Sequence, residues 1–314
     1  MRKPPSPKLI LAYPVSGGLG LFAVAVTVLI GLKRLSIDRF DVTPIAFRSE
    51  PWRLFLSIFP HIGFFHLVFN VYWLWVLGTV LEEVFGHAKT AALIVLFAVV
   101  SMTAEFALFD GGVGLSGVGY GLVGLLWVLS KRDRRFADAV DQRTVNLMTG
   151  WFFLCIVLTI TKVQPVANVA HGVGALLGIL VGMILVEKRV ALRALATLGL
   201  AAVVTGAALG ATKLRPLINL SKTAGLRSAQ EGNRAIAAER YENAVVEYEY
   251  AVTMSPREAS FVFNLGVAHQ RLGHFGEACV AFKKASELDP TNGKFREVAR
   301  TECDRSSVGD PRSP

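Results

Sequence analysis

The feature that most limits how this chain can fold is a series of seven apolar stretches, each near the length a helix needs to cross a bilayer. A span takes about 20 mostly apolar residues. The stretches run from about Pro14 to Leu32, Gly63 to Leu81, Thr90 to Leu108, Leu115 to Ser130, Leu147 to Lys162, Ala167 to Val186 and Ala194 to Thr212. The fourth is short and glycine-rich. A run of such spans predicts an all-α, polytopic membrane bundle. Composition agrees: 53% of residues are hydrophobic and only 18% charged, against about 25% charged in soluble domains. The apolar excess ends near Thr212, and the remaining hundred or so residues have a soluble composition. The first stretch leads into further spans, so it is expected to be a membrane helix and not a removed leader.

Lys and Arg in short loops orient such a bundle. The start, MRKPPSPK, is basic. So are the loop after the fourth span (Lys131, Arg132, Arg134, Arg135, Arg143) and the link before the seventh (Lys188, Arg189, Arg193). All three fall on the cytoplasmic side if the N-terminus is inside. The opposite loops at 109–114 and 163–166 carry no Lys or Arg. The first outer loop, with Lys33, Arg34, Arg39, Arg48 and Arg53, is the exception and reads as a folded element. The expected location is a bacterial inner membrane. The net charge of +9 therefore fits flanks of spans. No nucleic-acid partner is expected, since no zinc-finger or RNA-recognition motif accompanies the charge. Cys155, Cys279 and Cys303 form no CxxC, so neither a metal site nor a disulfide framework is expected. No cofactor is implied.

Polar side chains inside lipid are costly and mark functional positions. The second span contains His66 and Asn70, four apart and hence on one helix face, with His61 just before them. The fourth opens GVGLSGVGYG, which places Ser116 at the start of a helix and Tyr120 one turn on. The sixth opens ANVAHGVG, with His171 near its outer end. All three spans run inward, so these groups begin at one depth near the outer surface. His171, Gly174 and Gly178 share a stripe, and Gly117, Gly121 and Gly124 make a matching smooth face, the small-residue pattern that lets helices approach closely. Their packing would bring Ser116 to His171. A serine hydroxyl needs a base within about 2.6–3.2 Å. The resulting oxyanion needs preorganised donors, for which His66, Asn70 and the Ser116 N–H are candidates. No Asp or Glu is evidently placed to complete a triad, so a Ser–His dyad is expected, with the Tyr120 ring orienting the imidazole.

Each motif alone is weak; a lone intramembrane Ser usually bonds its own helix. Together they resemble the rhomboid family. Trp52-Arg53 matches its loop motif, and His61, His66 and Asn70 its second-helix pattern. Glu82 and Gly86 match a polar turn, Gly114-Leu115-Ser116-Gly117 with Tyr120 the nucleophile motif, and Ala170-His171 with Gly174 and Gly178 the base helix. The similarity covers about residues 14–187, and Ser57 stands where some members have a further histidine. The resemblance implies an intramembrane serine endopeptidase without cofactor or metal. Ser116 would be the nucleophile, His171 the base, His66 and Asn70 the oxyanion-hole donors, and His61, Tyr120, Gly114, Gly117, Gly174 and Gly178 the supporting residues. It implies transmembrane protein substrates, cut near the outer surface of the lipid bilayer. The alternative is an inactive rhomboid-like protein that binds transmembrane helices as scaffold or chaperone. A transporter is disfavoured, because the polar residues gather at one depth and no inverted repeat is visible.

Beyond the spans a 34-residue repeat can be read. Leu265, Gly266, His269, Ala278, Phe282, Ala285 and Pro290 fall at tetratricopeptide spacing. One repeat earlier stand Glu231, Gly232, Ala235, Ala244, Tyr248, Ala251 and Pro256, with Glu231 and Ala235 departing from type. Helices are expected at 226–239, 241–255, 259–272 and 275–288, with a capping helix at 291–303. The expected organisation is a cytoplasmic segment 1–13, a rhomboid-like membrane core 14–190, a seventh transmembrane helix 191–213, a tetratricopeptide-like domain 222–303 and a disordered tail 304–314. The repeats suggest a peptide or adaptor partner. The length of the seventh stretch argues that it crosses and leaves the tail outside. The basic link Lys213, Arg215, Lys222 and Arg227 argues for the cytoplasm.

Overall fold

A computed structural model describes residues 3–307. Among them every regular element is helical. The membrane unit comprises α1 (Pro14–Gly31), α2 (Phe64–Phe85), α3 (His87–Leu108), α4 (Ser116–Arg132), α5 (Gln142–Ile160), α6 (Asn168–Val186) and α7 (Val190–Ala211). All but α4 are at least 18 residues long and apolar enough to cross a membrane. Helix α4, which begins at Ser116, has 17 residues. Helices α3, α5 and α7 begin about a turn before the apolar stretch does, and at α5 a side-chain cap accounts for the polar first turn. At α5 the Asp141 carboxylate accepts the Thr144 N–H at 2.8 Å. Within α2 the residues Leu74–Gly78 form a π-helical turn.

The helices alternate in direction, as their end contacts show. Glu82, buried near the end of α2, caps the start of α1. It accepts the N–H groups of Val15 and Ser16, both at 2.9 Å, and the Ser16 hydroxyl at 2.7 Å. His87 bonds the same carboxylate at 2.7 Å. Gly86, at φ +79°, makes the turn between them. The core joins Leu77 and Leu81 of α2, Ile94 and Phe97 of α3, Leu122 and Leu125 of α4 and Leu177 of α6, all essentially inaccessible. Large apolar side chains of α1, α5 and α7 are exposed, among them Leu21, Phe153 and Leu198, as suits a ring of helices facing lipid.

Past α7 the chain turns back into the bundle. Arg215, expected to be part of a basic link, is instead 2% exposed. Its guanidinium donates to the carbonyls of Phe106 at 2.7 Å and Phe109 at 2.8 Å and lies over the Phe106 ring. It thereby caps the C-terminal end of α3. Helix α7 thus ends at the end of the bundle where α3 does, having run the bundle's full length.

A second compact unit comprises residues 43–50 and 219–314. Its described helices are α8 (Ala224–Ala237), α9 (Tyr241–Met254), α10 (Ala259–Arg271), α11 (Phe275–Leu288) and α12 (Gly293–Ser307). The repeat offset is visible in the packing. Gly232 receives the Tyr248 ring as Gly266 receives the Phe282 ring, and Ala244, Ala251, Ala278 and Ala285 are fully buried. Cys279 of α11 and Cys303 of α12 form a disulfide. This corrects the expectation of no disulfide framework: the residues lie 24 apart in sequence, without a motif, and only the α11–α12 packing brings them together. The terminal helix runs to Ser307. The rest of the expected disordered tail, 308–314, lies outside the described residues.

Candidate active site

Ser116 is the first residue of α4, and a tightly fitted turn delivers it. Gly114 has φ +111°, and a Cβ there would stand 2.8 Å from the His66 ring and 3.4 Å from the His61 ring. Only glycine meets both demands. The Gly114 N–H donates to the Ser57 carbonyl at 3.1 Å, and the Leu115 N–H to His61 Nε2 at 3.2 Å. His61 Nδ1 lies 2.8 Å from the Phe59 carbonyl. With an acceptor at one nitrogen and a donor at the other, His61 carries its proton on Nδ1. It holds the loop that precedes the serine.

His171, one turn into α6, is 3% exposed. Its Nε2 lies 2.7 Å from Ser116 Oγ. The Tyr120 ring stacks on the imidazole, with centroids 4.7 Å apart and planes at 28°. The Tyr120 hydroxyl donates to the Met148 carbonyl of α5 at 3.1 Å, which locks that ring in place. His171 Nδ1 has no hydrogen-bond partner among the described residues, so the pair has no third member there.

The close approach rests on glycine. A Cβ on Gly174 would fall on the Gly117 carbonyl, 3.0 Å from its carbon, and one on Gly178 would stand 2.7 Å from Leu125 N. On the opposite side of α4, a Cβ on Gly117 would meet Ser101 Oγ of α3 at 2.5 Å. Helix α4 is thus held against α6 by backbone contact and against α3 through the Ser101 and Phe97 side chains, and the parallel start of α4 and α6 sets the hydroxyl level with the imidazole.

His66 packs edge-on to His61, centroids 4.9 Å apart, and lies within electrostatic reach of His171. Asn70 is buried, and its Nδ2 donates to the His66 carbonyl one turn back at 2.8 Å. One amide hydrogen remains for another acceptor. The structure therefore gathers Ser116, His171, Tyr120, His61, His66 and Gly114 about one point, with Asn70 bonded to His66. Of the loop pair, Trp52 is 55% exposed, whereas Arg53 is buried and donates to the carbonyls of Asp38 at 2.9 Å and Asp41 at 3.2 Å. Arg53 thereby ties together the loop between α1 and α2.

Sequence reasoning missed Glu105. This buried carboxylate near the end of α3 accepts the Ala170 N–H at 3.0 Å and faces that of Val169. It caps the N-terminus of α6, where a negative charge is favoured by the free N–H groups and the helix dipole. The rule that marks His66 applies equally to a Glu inside the third span. Spacing does not single it out, because it stands alone in sequence, far from any motif.

The rhomboid-domain family model matches residues 48–188, and the tetratricopeptide-repeat model matches residues 259–292. A "Rhomboid protease GlpG" of Klebsiella pneumoniae is 31% identical over 137 residues, covering 41% of this chain and 47% of that protein. One from Salmonella newport is 32% identical over 112 residues, covering 33% and 40%. The chain thus spans less than half the length of the relatives it matches. By its spans the chain is an integral membrane protein, in which residues 48–188 match the rhomboid domain and residues 259–292 of the helical tail match a tetratricopeptide repeat.

Proposed function

We propose that this protein is a serine endopeptidase that cuts transmembrane proteins near the outer surface of a bacterial inner membrane, with its own N-terminus in the cytoplasm. The observation that carries the reading is the 2.7 Å approach of Ser116 Oγ to His171 Nε2. It lies within the reach a base needs to take a hydroxyl proton.

In this reading His171 Nε2 takes the Ser116 proton as Oγ attacks the scissile carbonyl. The oxyanion forms at the start of α4, where the first N–H groups have no helical partner. His66 and the free amide hydrogen of Asn70 add donors. The imidazolium, clamped flat by Tyr120, returns its proton to the leaving amine. Water, activated by the same imidazole, then hydrolyses the acyl-serine. A helical substrate must unwind first, because its backbone bonds screen the peptide group. The repeat tail would engage a peptide or an adaptor protein.

The test is cleavage of a model transmembrane substrate by purified protein beside Ser116→Ala and His171→Ala. Both variants should fold, shown by unchanged melting, and neither should cut. Fluorophosphonate labelling of wild type, lost in Ser116→Ala, reads the nucleophile directly. A wild type that binds the substrate helix but never cuts or labels would replace this reading with the scaffold alternative.

A further inference from the structure

The segment Thr43–Glu50 belongs to the loop between α1 and α2, yet it is part of the repeat unit. Its middle is a short 3-10 turn, Pro44–Phe47, in which Ile45 and Ala46 are buried. The turn packs on α9, which presents Asn243 and Glu247 four apart on one face, with Arg240 just before its first turn. The Ser49 hydroxyl lies 3.2 Å from Asn243 Oδ1, and Asn243 Nδ2 donates to the Glu50 carboxylate at 3.0 Å. Arg240 pairs with the same carboxylate at 3.6 Å, and Arg48 pairs with Glu249 at 3.2 Å. Beneath them the buried Glu247 carboxylate faces the Thr43 hydroxyl and the Ile45 N–H. The segment thus makes apolar contacts at Ile45 and Ala46, flanked by polar contacts at Thr43 and at 48–50.

We propose that the peptide bound by the first repeat is the chain's own segment Thr43–Glu50, and that the repeat domain is therefore tethered on the side of the membrane at which α1 ends and α2 begins. Chain continuity fixes the side. Residues 43–50 lie where α1 ends and α2 begins, the end of the bundle at which α4 and α6 also begin. Two further observations agree. Arg215 ends α7 at that same end of the bundle. The Cys279–Cys303 disulfide belongs to a domain outside the reducing cytoplasm.

The side and the grip are tested without reference to catalysis. Ser49→Cys with Asn243→Cys should form an intramolecular disulfide under mild oxidation of the full-length protein in membranes, seen by mass spectrometry. A membrane-impermeant maleimide should label Ser49→Cys and, separately, Ser286→Cys on α11 from the same side of sealed vesicles. Labelling of Ser286→Cys from the opposite side, or no cross-link, would overturn the proposal.

Discussion

Replacing Gly174 by alanine should separate Ser116 from His171 while leaving every polar group in place. The new Cβ would lie 3.0 Å from the Gly117 carbonyl carbon, whereas carbon atoms pack at about 3.5–4.0 Å. The atom it meets is backbone, not the movable end of a side chain. Helix α6 must therefore retreat from α4 by roughly 0.5–1 Å. Gly117 adjoins Ser116, and Gly174 is one turn from His171, so the shift acts where it matters. The 2.7 Å contact becomes about 3.2–3.7 Å, past the range of useful proton transfer. A misplacement of about 1 Å costs on the order of 100-fold in rate. The assay is the rate of fluorophosphonate labelling and of substrate cleavage, beside two matched controls. A Cβ on Gly119 meets nothing within 4 Å, and one on Gly172 meets only the Phe152 ring at 3.7 Å. Gly119→Ala and Gly172→Ala should therefore keep wild-type rates. If Gly174→Ala matched these controls, glycine-dependent contact would not be what sets the dyad, and the argument from helix packing would fail.

Three further outcomes rest on the same kind of contact. Glu105→Ala removes the cap of α6, worth about 1 kcal/mol in the usual range, and should slow labelling; Glu105→Gln, which keeps an acceptor for the Ala170 N–H, should recover part of the rate, and equal rates in all three proteins would remove Glu105 from the site. Reducing the Cys279–Cys303 bond, which closes a separation of 24 residues, should cost the tail about 3 kcal/mol; its melting temperature should fall by roughly 10 °C or more, and Cys279→Ser should melt like the reduced wild type. Burial raises the Glu247 carboxyl from 4.5 to about 7, with Glu231 adding to the rise and Thr43, Ser228 and the Ile45 N–H opposing it. Below pH 4.5 the group is protonated whether the unit is folded or not; between 4.5 and 7 only the unfolded form ionises. Stability of the tail should therefore decline as pH rises through that window, by about 3 kcal/mol at most, and level off above it. Calorimetry of wild type against Glu247→Gln at about pH 5 and about pH 8 checks this, because the variant should lose that part of the dependence.

Much of the site was legible because lipid makes polar residues conspicuous. Ser116, His66, Asn70 and His171 stand out in apolar runs, and span direction alone put them at one depth. The glycine stripe was readable for a similar reason: a position lacking a side chain signals contact in a membrane, where little else draws helices together. Glu105 and Arg215 were hidden, although both are charged and buried. Their partners are backbone groups of helices distant in sequence, and nothing in local spacing announces which N–H or carbonyl a side chain will reach. The loop segment at 43–50 was equally opaque, since the residues that hold it lie nearly two hundred positions away.

The amino-acid order by itself determined the number and direction of the apolar helices, the change of regime near Thr212 and the repeat period, because each is a property of short stretches and their solvent. Tertiary structure alone decided that Glu82 and Glu105 cap other helices, that Cys279 finds Cys303 and that a loop joins the repeats. Those are pairings between distant parts of the chain. They form where packing leaves a buried donor or acceptor unmatched, and an unmatched polar group is too costly to leave alone.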